Sequence, residues 1–430
     1  MFPRSAFLTV LALSAALGIA PQTAAEAAPI TLADPAPLSV AQVKGSVDFL
    51  KRQYGVDTTE ALRRLELQRT AGRLQTTLAD RFPDVYAGSW IDQDHGGVLM
   101  IGATRTAPVQ AAVRQLPDAA HIKVVSAAHS ARELQQTADR IAARVRLAPG
   151  IAPFVDAERD KVVVTGRVAS SVAAAGSAKA IGDDKALVVT DPTPGRTYLA
   201  CTIENCTPPM RGGLKLYIFN SLSSRPNWLW SCTNGFNVHG SNGWQYTVTA
   251  GHCFEGDGNY ADDNSQWVGY YQSSTLAGFG ADYPADGMVA PYIVTGGVNY
   301  ATYWVGAAPR NTVWDTNISS LYHITGSYTY AQIGTGWVAC STGATSLNTR
   351  CGTVTGRDGG IVTNICARAG DSGSPLFSEV DQTAYGVLSS GTNSSWNGSC
   401  YTETHFSPLS VIFAAATSKS GISFGVNTTS

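Results

Sequence analysis

Gly370-Asp371-Ser372-Gly373-Ser374-Pro375 is the stretch from which the fold of this 430-residue chain is best read. A serine between glycines, with an acid before it and a proline soon after, suits a tight turn that exposes a hydroxyl and aims nearby backbone N–H groups at one point. Gly/Ser/Asp clusters are also plain turns in Gly-rich chains, so the hexapeptide needs a partner elsewhere. Thr249-Ala250-Gly251-His252-Cys253, far upstream, supplies one. A serine hydroxyl is a poor nucleophile at neutral pH; it needs an imidazole to take its proton and a carboxylate to hold that imidazole.

These two motifs, in the order His then Ser, resemble the trypsin/chymotrypsin clan of serine endopeptidases. Cys366-Ala367-Arg368-Ala369-Gly370-Asp371-Ser372-Gly373 and Gly235-Phe236-Asn237-Val238 are similar to its bacterial branch, the streptogrisin and α-lytic protease group. The resemblance implies an all-β, trypsin-like fold from Leu214 onward: two six-stranded antiparallel Greek-key barrels with the active cleft between them. It implies Ser372 as nucleophile and His252 as base. Within Tyr283-Pro284-Ala285-Asp286-Gly287-Met288-Val289 it selects Asp286 as the orienting carboxylate, with Asp282 as competitor. Backbone N–H groups of Gly370 and Ser372 would form the oxyanion hole. A glycine at 370 also keeps side chains away from the approaching substrate.

The same resemblance places the substrate-binding wall at Leu388, Ser389, Ser390 and Gly391 and at Thr404-His405-Phe406, with Thr363 to Ala367 opposite. No acid stands where a trypsin-like pocket has one, and Leu388 occupies the position of a histidine in glutamate-selective relatives. A neutral pocket favours large apolar P1 side chains, unless Glu403 points inward. Implied disulfides are Cys232–Cys253, Cys340–Cys351 and Cys366–Cys400, which leaves Cys201–Cys206. Two departures stand out. Ser374 replaces a glycine, and Ser341 replaces the arginine that pairs with the buried acid at position 371. Arg350, Arg357 and Arg368 are the candidate substitutes, because a buried unpaired carboxylate costs several kcal/mol.

Composition sets the compartment. Arg4, an apolar run from Ala6 to Ala20 and the small-residue site Ala25-Glu26-Ala27 read as a signal peptide over residues 1–28, predicting a secreted, extracellular product. All eight cysteines lie from Cys201 onward, an even number that suits disulfides. Their spacings lack zinc-ligand pairs, so neither a metal nor a cofactor is expected. From Cys201 onward eight Lys/Arg face thirteen Asp/Glu. With no basic stripe, nucleic acid is excluded as a partner, and no later segment approaches a membrane-spanning length.

Between Pro29 and about Ala180 the pattern is amphipathic and helical, interleaved with short β-branched runs at Val98–Ile101, Ile122–Val125 and Val162–Val164, which reads as a small α+β unit. Asp57-Thr58-Thr59-Glu60 and Ser130-Ala131-Arg132-Glu133 have capping-box spacing. The first precedes Leu67, Ala71, Leu74 and Leu78, and the second precedes Leu134, Ala138, Ile141 and Val145, each set on one helical face. Tyr54-Gly55-Val56, Glu60 to Leu65 and Tyr86-Ala87-Gly88-Ser89-Trp90 are similar to the pro-region of the α-lytic group, which assists folding and blocks the cleft until it is cut away. The small-residue stretch Ala169–Ala180 and the turns to Gly195 read as a linker, with cleavage between Ala169 and Arg211. Beyond Leu214 short strands follow at Leu214–Phe219, Trp244–Thr249, Met288–Val294, Trp337–Ala339 and Ala384–Leu388.

The expected organisation is therefore a signal peptide (1–28), a propeptide (29–195) and a protease domain (196–430). The expected function is a monomeric serine endopeptidase acting on protein or peptide substrates, with its own propeptide as a further partner. The rival is a catalytically silent binding protein on the same barrels. An α/β-hydrolase is excluded by Ser374, which breaks G-x-S-x-G, and by the His, Asp, Ser order.

Overall fold

The computed structural model describes residues 28–32, 36–144, 152–166, 186–190, 211–219, 229–254, 260–263, 266–270, 286–291, 293–294, 297–298, 311–318 and 320–428. All but the last residue of the expected signal peptide, the Cys201–Cys206 pair, Asp282, Val145 and nearly all of the cleavage region lie outside them.

In the first half, α1 (Lys44–Tyr54) ends at Gly55, whose positive φ of 66° lets its N–H close on Lys51 O. Helix α2 (Thr58–Arg81) starts where Asp57 accepts the Glu60 N–H, as the capping spacing predicts. Only half of the box forms, because the Glu60 carboxylate turns to Arg63 and Arg64. Strands β1 (Tyr86–Asp92), β2 (Val98–Ala103) and β3 (Ile122–Ser126) form one sheet, with α3 (Thr106–Val113) between the last two. Helix α4 (Ala131–Arg144) has the reciprocal Ser130–Glu133 cap, followed by a second sheet of β4 (Ala152–Asp156), β5 (Lys161–Gly166) and β6 (Ala186–Thr190).

In the second half, β7 (Lys215–Phe219), β8 (Trp230–Thr233), β11 (Tyr260–Asp263) and β12 (Gln266–Tyr270) form one four-stranded sheet. Another contains β9 (Phe236–Gly240), β10 (Gln245–Thr249), β13 (Met288–Pro291) and the C-terminal β25 (Phe424–Val426). The described strands here thus make two sheets of four, and β9 takes its outer neighbour from the far end of the chain. Two hairpins follow, β14 (Ile293–Val294) with β15 (Gly297–Val298) and β16 (Thr312–Asp315) with β17 (Ser320–His323).

The remaining strands close on themselves. They are β19 (Val338–Gly343), β20 (Asn348–Arg357), β21 (Ile361–Thr363), β22 (Pro375–Ser378), β23 (Thr383–Gly391) and β24 (Thr404–Pro408), with the short β18 (Gly326–Ser327) parallel to β23. The order β23-β22-β19-β20-β21-β24 returns to β23, giving a closed six-stranded antiparallel barrel. Closure leaves no unpaired edge, so every strand is held from both sides. Helix α5 (Leu409–Ser420) then packs against β13, β23, β24 and β25, tying the barrel to the sheet that carries β10.

The predicted helical face of α2 is buried, but much of what it packs on comes from the second half. Leu67, Ala71, Leu74 and Leu78 share one core with Ile91, Leu99 and Ile101 and with Ile333, Trp337, Ala339 and Val354 of the barrel side. Each such leucine, isoleucine or valine contributes roughly 1.5–3 kcal/mol on burial. Polar contacts cross the same seam: Gln68 donates to Val338 O (3.0 Å) and accepts from Val338 N (2.7 Å), and Ile91 N donates to Thr335 O. The two halves therefore share a core.

Candidate active site

His252 lies in the single turn Gly251–Cys253 directly after β10, and Cys253 is bonded to Cys232 at the end of β8. Asp286 comes two residues before β13. Because β10 and β13 are antiparallel with Thr249 opposite Met288, the end of one strand lies beside the start of the other. This register brings His252 to Asp286: Nδ1 is 2.7 Å from Oδ2, and the His252 backbone N–H donates to Oδ1 at 2.9 Å.

Ser372 comes from the barrel, in the loop between β21 and β22. Its Oγ is 2.9 Å from His252 Nε2, with Ser372 wholly buried and His252 7% exposed. The seam is laced together around it. Thr233 N donates to Ser372 O, Thr233 Oγ1 donates to Gly370 O, and Thr249 Oγ1 donates to Thr233 O. Neither the Gly370 nor the Ser372 N–H is used by a protein acceptor among the described residues, which leaves two donors for an incoming oxygen. Position 370 has φ of 91°, so glycine is required there by backbone conformation, beyond any need to clear space for substrate. A proton path from hydroxyl to imidazole, an anchored imidazole and two unspent N–H groups are the parts acyl transfer needs.

No protein-family model matches the chain. Serine protease 2 of Streptomyces fradiae is 29% identical over 183 residues, a span covering 40% of this chain and 90% of that protein. By sequence, then, the chain is similar to a bacterial serine protease. The crystal structure of a Nocardiopsis protease matches 50% of the chain and 98% of its own length, at 20% identity and a TM-score of 0.37.

The groups that hold Asp371 are not the guanidinium groups expected. Its Oδ1 accepts the backbone N–H groups of Thr345 (2.9 Å) and Ser346 (2.8 Å); its Oδ2 accepts the Arg368 N–H (2.8 Å) and the Ser346 hydroxyl. The guanidinium groups go elsewhere: Arg350 to Cys366 O, Arg357 to Tyr330 O and Arg368 to Ser399 Oγ. Burial pushes the Asp371 carboxyl above its ordinary range, and these donors pull the other way. The β19–β20 turn approaches so closely that a Cβ at Gly343 would lie 2.2 Å from Asp371 Oδ1. No sequence motif marks Thr345 or Ser346; a glycine just ahead of a Thr-Ser pair is too common a turn. Ser374, the other departure, donates its hydroxyl to Asp371 O and leaves the turn closed.

The expected substrate wall divides. Leu388 is buried in the barrel core, and its N–H and C=O bond to Ser374 O and Gly373 N. Ser389 turns its hydroxyl to Asp286 Oδ2 at 2.6 Å, a role that spacing alone does not reveal. Ser390 Oγ is buried with no partner among the described residues, and Thr404 donates to Ile365 O on the opposing stretch. Gly391 is flanked by the Tyr401 ring. Glu403 is half-exposed and accepts from Thr392 Oγ1, while His405 Nδ1 is 3.0 Å from Asp358. Three disulfides are formed, Cys232–Cys253, Cys340–Cys351 and Cys366–Cys400.

Proposed function

We propose that this protein is a secreted serine endopeptidase whose first half is a propeptide and whose second half is a two-barrel catalytic domain. The observation that carries the reading is the unbroken chain of short contacts from Asp286 through His252 to Ser372, with the Gly370 and Ser372 N–H groups unspent beside it. The similarity to a bacterial serine protease supports it.

In this reading Ser372 Oγ attacks the scissile carbonyl as His252 Nε2 takes its proton. The tetrahedral oxyanion receives the N–H groups of Gly370 and Ser372, each worth about 3 kcal/mol of barrier lowering. His252 then delivers the proton to the leaving amine, the acyl-enzyme forms, and water repeats the sequence in reverse. Asp286 keeps the Nδ1 proton in place and offsets the charge of the imidazolium. The half-exposed position of Glu403, engaged by Thr392 beside His405, supports a neutral pocket selecting large apolar P1 side chains.

The test is labelling of the secreted, processed protein with a serine-directed fluorophosphonate. Wild type should be labelled and Ser372→Ala should not. Absence of label on wild type, or equal label on both, ends the enzyme reading. Terminal sequencing of the same product places the cleavage site, and a peptide library sets the P1 preference.

A further inference from the structure

The first half sits on the barrel over two carboxyl groups. Glu379 follows β22 and is 2% exposed; Asp315 ends β16 and is fully buried. The Ser46 N–H, one of the first-turn donors of α1 that have no partner within the helix, donates to Glu379 Oε2 at 2.8 Å. Approach at this point is close. A Cβ on Gly45 would lie 2.1 Å from Asn317 Nδ2, and 2.7 Å from both Cys351 Sγ and Glu379 Oε1. The Ser46 hydroxyl lies 3.5 Å from Cys340 Sγ, so the turn rests on the Cys340–Cys351 bridge.

Among the described residues Glu379 Oε1 and Asp315 Oδ2 have no protein donor, and a proton held between the two interacting carboxyl groups satisfies both. The charged and titratable surroundings do not remove that need. From α1, Lys44 and Asp48 pair with each other at the half-exposed rim. From β17, the Tyr322 hydroxyl donates to the Glu379 backbone carbonyl. Arg350 of β20 turns toward Cys366, Arg52 lines the neighbouring cavity, and the negative charge of Asp381 acts on the Tyr322 hydroxyl.

We propose that the barrel face formed by Glu379, Asp315 and the Cys340–Cys351 bridge is a detachable docking surface for the first turn of α1, and that docking there binds a proton which undocking releases. The surface is specific to a glycine-bearing helix start: the helix offers an N–H to the carboxyl and no side chain to obstruct it. Burial, ahead of the negative charge of Asp315, pushes Glu379 up to about 8, and burial raises Asp315 as well. Uncovered, the pair meets water and ionises nearer the ordinary carboxylate value of about 4. The docked state therefore holds more protons across this window. Docking is strongest below the ordinary value, weakens by up to about tenfold per pH unit as pH rises, and levels off above about 8. None of this depends on the catalytic reading.

The experiment uses the full chain carrying Ser372→Ala, so that it cannot process itself, and follows amide hydrogen exchange of α1 from pH 5 to 9 after correction for intrinsic pH dependence. The opening equilibrium of α1 should rise by a total of 10²–10³, about tenfold per unit, then level off, while β19 and β20 stay protected. Glu379→Gln in the same background should abolish the rise. Asp315→Asn should flatten it too, which guards against one variant failing to fold. Gly45→Ala favours the helix itself but collides with the surface, so α1 should be open already at pH 5. A pH-independent opening in the Ser372→Ala chain overturns the proposal. So does an undiminished rise in both carboxyl variants, or full protection of α1 in Gly45→Ala.

Discussion

Ser389 Oγ donates to Asp286 Oδ2 across 2.6 Å, on the same oxygen that holds His252 Nδ1 at 2.7 Å. A residue of the barrel thus positions the carboxylate supplied by the neighbouring sheet, while Asp286 Oδ1 is occupied by the His252 N–H. The orientation of the imidazole is set by both sides of the seam.

This arrangement separates two substitutions by size of effect. Asp286→Asn should favour the wrong imidazole tautomer and lower kcat by about 10⁴ with the fold intact. Ser389→Ala removes one of the bonds to the carboxylate and should lower kcat by roughly tenfold, with KM changing less than kcat. Steady-state kinetics on an apolar-P1 peptide reads both; equal losses would mean that the Ser389 bond is as necessary as the carboxylate.

Ser346→Ala should destabilise the protein chiefly at neutral pH. Donors to Asp371 favour its ionised form, and burial has already raised its carboxyl above the ordinary range. Deleting the hydroxyl should raise it further and cost about 1–3 kcal/mol where Asp371 is ionised. As pH falls and the group protonates in folded and unfolded chains alike, the cost should shrink. Thermal unfolding of both proteins from pH 3 to 8 measures the converging curves.

Gly343→Ala should act on Ser372 from a distance. The added carbon would sit 2.2 Å from Asp371 Oδ1, so the acid or the β19–β20 turn must shift, and Asp371 is the residue before Ser372. We expect a loss of about 2 kcal/mol or more, in line with overpacked cores, accompanied by lower kcat. Unfolding curves and fluorophosphonate labelling rates should fall together.

Glu403 offers an acid-side test of the pocket rim. Hydrogen bonding to His405, and secondarily to Thr392, holds its carboxyl below the ordinary range. A depressed carboxyl contributes stability that is present above its unfolded value and is lost as pH falls through the folded value. His405→Gln should move the Glu403 titration back toward the ordinary range, seen as a shift of its side-chain carbonyl resonance in a ¹³C NMR titration. Because Glu403 is half-exposed, added salt should narrow the difference.

Read alone, the chain determined what is encoded locally. The cap at Ser130, the buried face Leu67, Ala71, Leu74 and Leu78, and the short strands beyond Leu214 follow from periodicity and from residues a few positions apart. His252, Asp286 and Ser372 each sit in a short motif, and motifs are legible without knowledge of the fold. Tertiary structure alone decided the partners. Thr345 and Ser346 hold Asp371, Ser389 braces Asp286, β25 returns to β9, and Gln68 and Ser46 reach across to Val338 and Glu379. Each of these joins positions widely separated along the chain, and all but the Ser389 bond use backbone N–H groups, which every residue except proline carries. A donor common to nearly all residues leaves no mark in the sequence; only closure of the barrel and the docking of α1 and α2 against it determine which donor arrives.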